Sequence, residues 1–248
     1  MHHVFDSMGT TISLEWADQP NGERSADAAA QVERIFDEFD RRFSLYRPDS
    51  EASRIALGRL SLADSTDAMR EAYATALEWR TSTDGAFTPN RPDGIVDLSG
   101  VVKALAIERA GEVLDASDRH RQWMINAGGD LLVSSARTVG IVDPADRSSL
   151  LTAVALTGSH RAVATSGSAE RGDHIWRTGT GTGRGRGHFV QATVLADDIV
   201  TADVLATAII AGGRDTLDSV TERWNVDVLT VDAAGALLAT PGFRTALA

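Results

Sequence analysis

The order in which apolar periodicities change along these 248 residues constrains the fold more than any other feature. Helical spacing dominates as far as Leu114, and strand-like spacing dominates from Trp123 onward. Helices and strands therefore come in runs. A doubly wound parallel sheet needs strict alternation, so the predicted class is α+β, with mixed or antiparallel sheets packed against helices. Residues 10–16 alternate and read as a strand, with Ile12, Leu14 and Trp16 on one side. After a polar turn at 18–22, residues 26–43 put Val32, Ile35, Phe36, Phe39 and Phe43 on one helical face, with Ser25 or Asp27 as the cap. A second helix is expected over 65–80, with Met69, Tyr73, Ala76 and Leu77 inward. A third is expected over 100–114, with Val102, Leu105, Ala106, Arg109, Ala110 and Val113 in register.

Strands are then expected over 123–126, 131–134, 139–142, 152–156, 162–165, 174–177 and 189–196. Helices over 201–211 and 215–223 follow, and the chain closes on a hairpin, 226–231 with 237–238, around Asp232 to Gly235. No repeat and no domain boundary is visible, so one domain over 1–248 is expected. Residues 178–187 (TGTGTGRGRG) form the one low-complexity stretch and read as a surface loop.

Composition removes whole classes of chemistry. With no Cys there is no disulfide, thiolate metal site, cysteine nucleophile or lipid-modified N-terminal Cys. The net charge of −11 comes from acids spread along the chain, which argues against a sequence-independent grip on nucleic acid or anionic membrane. No apolar run reaches membrane-span length, and the segment Met1 to Asp6 lacks a basic region followed by an apolar one. A cytoplasmic protein without a membrane span is expected.

Of the 24 cationic side chains, 23 are Arg and one, Lys103, is Lys. A bias this strong marks the position that kept an ammonium as one that needs a compact point charge in place of a planar fork, unless the Lys survived by chance. Its neighbours favour the first reading. Asp97 lies six residues upstream, the small residues Ser99 and Gly100 lie between, and an apolar-periodic helix follows directly.

Three further constellations can carry chemistry. Asp203 and Thr207 are four apart and share a face in the first turns of a predicted helix. Both offer oxygen, which suits a hard cation such as Mg²⁺, although dipole complementation by Asp203 and a buried hydroxyl at Thr207 would account for them equally well. Asn126-Ala127-Gly128-Gly129-Asp130 lies between two apolar strands, where paired glycines admit close approach of a phosphate or a flavin edge, or simply make a turn. Thr165-Ser166-Gly167 ends a strand, and His174 follows within folding reach, so hydroxyls, amides and an imidazole could bind an oxyanion and move a proton. No Gly-x-Ser-x-Gly elbow, Walker loop or dinucleotide-type glycine motif after a strand is present.

Taken in order, these segments resemble the ApbE family of FAD:protein FMN transferases. The resemblance runs from Met8-Gly9-Thr10-Thr11 through Phe43 to Glu51, Asp84 to Pro89, Val96 to Lys103, Asn126 to Asp130, Thr165 to Gly167 and His174-Ile175, and ends at Thr201 to Thr207. It implies an ApbE-like, T-fold-related architecture and a Mg²⁺-dependent enzyme. Such an enzyme binds FAD as substrate and transfers its FMN half to a Ser or Thr hydroxyl of an acceptor protein, releasing AMP. Implied alternatives are an FAD pyrophosphatase releasing FMN and AMP, or a catalytically weak FAD-binding protein.

By motif, Met8 and Tyr46 are expected near the isoalloxazine, with Phe87, Thr88 and Pro89 lining the pocket. Asp97, Lys103, Asn126, Gly128, Gly129, Asp130, Thr165, Ser166, Gly167 and Ile175 are expected around the rest of the cofactor. Gly100, through its carbonyl, and the Asp203 and Thr207 side chains are the expected metal ligands, and His174 the expected base. The chain departs from the family pattern in having only residues 90–96 between Pro89 and Asp97. It also carries Trp176-Arg177-Thr178-Gly179 where an Asp-Pro-x-Thr-Gly segment is usual.

Overall fold

The computed structural model describes residues 2–17, 22–117, 122–158, 160–167 and 189–248, except for the side chains of residues 22–24. Two compact units divide the chain, one of Met1–Trp79 with Thr88–Ser134 and the other of Arg80–Phe87 with Ser135–Ala248. The class is α+β, as the run-wise pattern predicts, and every strand pair within a unit is antiparallel.

In the first unit, β1 (His2–Ser7), β2 (Thr10–Trp16), β3 (Trp123–Ala127) and β4 (Asp130–Val133) pair in that order. Helices α1 (Gly22–Phe43), α2 (Glu51–Ala56), α3 (Asp67–Ser82, whose end belongs to the second unit) and α4 (Ser99–Ser117) complete it. Strand β2 has the predicted bounds. Its alternation puts Ile12, Leu14 and Trp16 across from Ala127, Ile125 and Trp123, all buried. Strand β1 was not anticipated: His2-His3-Val4-Phe5 has no clean period, and Val4 remains 48% exposed on the sheet's edge.

Helix α1 buries Val32, Phe36 and Phe43 completely or nearly so, and Ile35 and Phe39 by half. It starts at Gly22, so Ser25 and Asp27 lie inside the helix and not at its N-cap position. Helix α4 packs against α1 and against β3 and β4, and is buried almost all round. Arg109 is the exception. The 3.6-residue period groups it with the inward set, yet it is exposed and pairs with Glu112 at 2.6 Å, because its stripe with Leu105 and Val113 lines an open cleft beside α1 and α3. The six-residue α2 escaped detection because it is too short for a period. Its cap is legible afterwards: the Ser53 N–H donates to Ser50 Oγ at 2.9 Å.

In the second unit, β5 (Arg137–Val142) and β6 (Leu150–Leu156) form a hairpin, and β7 (Ala162–Gly167), β8 (Phe189–Ala196), β9 (Asp227–Asp232) and β10 (Leu237–Ala239) pair in that order. Helix α5 (Ile199–Arg223) lies on β7 and β8. Asp198 caps it, accepting from the Thr201 N–H at 2.7 Å and the Thr201 hydroxyl at 2.8 Å. Inside α5, Gly213 has φ 70° and ψ −146°, a conformation open essentially to glycine alone. The element is thus two helical stretches across a break, as the separate predicted helices 201–211 and 215–223 required. A last short helix, α6 (Pro241–Thr245), was read only as chain end, although Thr240 caps it and Pro241 starts it. Beyond it, Ala246 O accepts from the Ala155 N–H at 2.7 Å, which ties the C-terminus to β6. The predicted strand 174–177 and the loop 178–187 lie outside the described residues. Among the described residues, no helix is long and apolar enough to cross a membrane.

Candidate functional site

Two motif turns of the first unit lie at the same end of its sheet. The β1–β2 turn is the pair Met8-Gly9, with φ 51° and 71°, and the β3–β4 turn is Gly128-Gly129, with φ 64° and 97°. Two consecutive positive φ values suit the twist of a two-residue hairpin, and only Met8 among the four residues bears a side chain against that preference. The Gly128 N–H donates to Thr11 O at 3.2 Å, and a Cβ on Gly128 would stand 2.4 Å from Thr10 Oγ1. Asn126 steadies the second tip, its Oδ1 accepting from the Gly129 N–H at 3.0 Å. Gly128→Ala meets both the backbone preference and this contact, so it is expected to lower stability by about 2–4 kcal/mol. Thr10→Ala in the same chain should recover only the contact part. Urea unfolding of the two variants checks both statements.

Directly below the Gly128-Gly129 tip, Asp130 is wholly buried and its carboxylate forms an ion pair with the Lys103 ammonium, whose side chain is 9% exposed. The one Lys of the chain thus faces a carboxylate inside the unit, joining α4 to β4. A confined pair of this kind accounts for the retained ammonium, because a guanidinium is bulkier and its fork needs more partners.

The start of α4 lies beside the short 90–96 segment. That segment closes on itself through the bridge between Asn90 and Val96 and the Arg91 N–H to Ile95 O bond of 2.9 Å. Closure brings the Asp97 N–H to Pro89 O at 2.8 Å, so Pro89 and Asp97 are neighbours despite the few residues between them. The Asp97 Oδ1 accepts from the Ser99 N–H at 2.9 Å, and Gly100 sits in the first helical turn. Thr88 is half-buried and its Oγ1 accepts from the Asn90 N–H at 3.2 Å. Tyr46, in the loop after α1, is 83% exposed. Ser50 and Ser44 fix that loop: the Ser50 hydroxyl donates to Ser44 O at 2.6 Å and the Tyr46 N–H to Ser44 Oγ at 3.2 Å. These two serines escaped sequence reasoning because a loop has no period to read.

The second unit holds the other group. Asp203 is 5% exposed in the first turns of α5, and Thr207 follows one turn later, half-buried. The Thr207 and Ser166 hydroxyls lie 3.1 Å apart, joining α5 to β7. On the next residue of β7, the Thr165 hydroxyl meets that of Thr193 on β8 at 2.9 Å, while Gly167 ends the strand opposite Gln191. Phe87 also belongs to this unit. It is 3% exposed, with its N–H donating to Thr83 Oγ1 at 3.1 Å. Among the described residues, no three Asp, Glu or His side chains converge. A cation at Asp203 would draw on neutral oxygens as well, which suits Mg²⁺ better than a softer metal. His174 and Ile175 lie outside the described residues.

The sequence model of the ApbE family matches residues 8–91 and 88–230. Among solved structures, the ApbE protein of Thermotoga maritima superimposes with a TM-score of 0.83 at 20% identity, covering 99% of this chain and 98% of that one. The flavin transferase ApbE of Vibrio cholerae gives a TM-score of 0.77 at 21% identity, covering 100% and 99%. The Pseudomonas stutzeri flavinyl transferase ApbE in its apo form gives 0.78 at 18%, covering 100% and 97%. At such identities the likeness establishes the fold. No curated protein matches the chain. With the family match spanning nearly the whole length, the chain belongs to the ApbE family.

Proposed function

We propose that residues 1–248 act as one transferase domain that moves the FMN half of FAD onto a Ser or Thr hydroxyl of an acceptor protein and releases AMP, in the cytoplasm. The observation that carries this reading is the family match over residues 8–91 and 88–230, within which every motif residue falls. In the reaction, the acceptor hydroxyl oxygen attacks the FMN phosphorus. The bond from that phosphorus to the bridging oxygen breaks, AMP departs with the bridging oxygen, and the flavin ends in a phosphodiester. The hydroxyl proton passes to His174, an imidazole suited to proton transfer near neutral pH.

The chain's own residues divide the remaining work. The exposed Tyr46 ring and Met8 at the hairpin tip would contact the isoalloxazine, and the lack of side chains at Gly128 and Gly129 would let the dinucleotide approach the backbone closely. Asp97 and Lys103 would orient polar groups of the cofactor. Asp203 and Thr207 would hold Mg²⁺. When bound, Mg²⁺ supplies charge neutralisation at the pyrophosphate oxygens. A buried carboxylate with a hydroxyl one turn away is a donor set that fits this ion.

Incubation with FAD, Mg²⁺ and a flavin-acceptor domain tests the reading. Covalent flavin fluorescence on the acceptor together with AMP is expected. Free FMN without a labelled acceptor would instead make the chain a pyrophosphatase, and FAD bound but unchanged would make it a binding protein. His174→Ala is expected to lower kcat by about 10²–10⁴-fold while the FAD dissociation constant moves less than about threefold. A parallel loss of FAD binding, followed by flavin fluorescence, would recast His174 as a cofactor contact.

A further inference from the structure

We infer that Ser166 is a positioning residue for the cation site: its hydroxyl accepts the Thr207 proton, so that Thr207 turns a lone pair toward the cation. This rests on the proposed role of Asp203 and Thr207 as metal ligands.

A hydroxyl has one proton and two lone pairs, and a cation repels the proton. A threonine that ligates through Oγ1 therefore needs somewhere else to send its proton. Inside a helix the usual destination is the carbonyl one turn back. Here, among the described residues, the side-chain hydrogen bond of Thr207 leaves the helix and runs to Ser166 Oγ on β7, 3.1 Å away. Strand geometry makes that bond available. Side chains alternate along β7, so Thr165 and Ser166 face opposite ways, and Thr165 is occupied by Thr193. The neighbour of Ser166 on β8 is Ala192, which is fully buried and has no polar side-chain group to compete for the Ser166 hydroxyl. Ser166 is thereby left to serve α5. Outer partners of this kind fix the orientation of ligating groups and typically govern about 10–100-fold in metal affinity.

Mn²⁺ titration of the full chain without FAD, followed by EPR and by Mg²⁺ competition, tests the assignment. Ser166→Ala is expected to weaken Mn²⁺ binding about tenfold, and Ser166→Thr, which keeps the hydroxyl on a strand-compatible side chain, by less than about threefold. Unfolding midpoints identify an alanine variant that does not fold. In that case Ser166→Cys, close in volume and a poor acceptor, should give the same loss. Unaltered Mn²⁺ affinity in Ser166→Ala, where Asp203→Asn has lost the ion, would overturn the role of Ser166 alone. An unaffected Asp203→Asn, or no Mn²⁺ binding by the unsubstituted chain, would remove the cation reading and this inference together. A raised KM for FAD at saturating Mg²⁺ with intact Mn²⁺ affinity would instead make Ser166 a flavin contact.

Discussion

Asp203→Asn is expected to lower Mg²⁺-dependent flavin transfer by about 10²–10³-fold while leaving the fold in place. Asn has the volume of Asp, so the buried site at the start of α5 keeps its packing. What disappears is the negative charge, and with it the main attraction for a hard cation among oxygens that are otherwise neutral. Loss of the ion removes several kcal/mol of charge stabilisation at the pyrophosphate, which corresponds to the stated rate factor. Single-turnover labelling of an acceptor as a function of Mg²⁺ concentration gives the number. Activity equal to that of the unsubstituted chain at saturating FAD would take Asp203 out of the metal site.

The second large effect is one of stability. Lys103→Met removes the ammonium that faces the wholly buried Asp130 carboxylate. Stripping one partner from a buried ion pair costs about 3–5 kcal/mol, because the remaining charge has been taken from water. In a chain of this size that lowers the unfolding midpoint by roughly 6–20 °C. Lys103→Met with Asp130→Leu together should recover most of the loss, since two apolar side chains need no countercharge. Lys103→Arg keeps the charge but adds bulk in a closed space, and is expected to cost about 1–3 kcal/mol. Thermal unfolding followed by circular dichroism separates the three. A single Met variant as stable as the unsubstituted chain would show that the pair contributes nothing to folding.

The two predictions differ in how far they could be read before the fold was known. Asp203 and Thr207 are one turn apart on a helix whose start is marked by Asp198, so their shared face follows from local geometry. Ser166 lies 41 residues upstream on another element, and no spacing rule joins it to Thr207. Lys103 stood out as the sole Lys. Its partner was legible only as the last residue of the Asn126 to Asp130 segment, with nothing in the spacing to mark it as the countercharge of Lys103. Only the packing of α4 on β4 turns that Asp inward.

The errors share a cause. Strand β1 and helices α2 and α6 are too short or too irregular for a period to register, and each is stabilised by a partner or a cap. Arg109 was grouped with the inward residues because a period defines a stripe without saying which part of the stripe meets a neighbour.

From sequence alone came the α+β class, the bounds of β2 and β8, the division of α5 near Gly213 and the chemical type of each candidate group. These depend on side-chain period, capping and backbone permissiveness, which act over a few neighbouring residues. Tertiary structure alone decided that Gly128 meets Thr10 and Thr11, that Lys103 faces Asp130, and that Thr207 bonds to Ser166. Each of those contacts joins segments distant in the chain. Distant segments meet only where burial of apolar surface brings their elements together, and no local spacing encodes that choice.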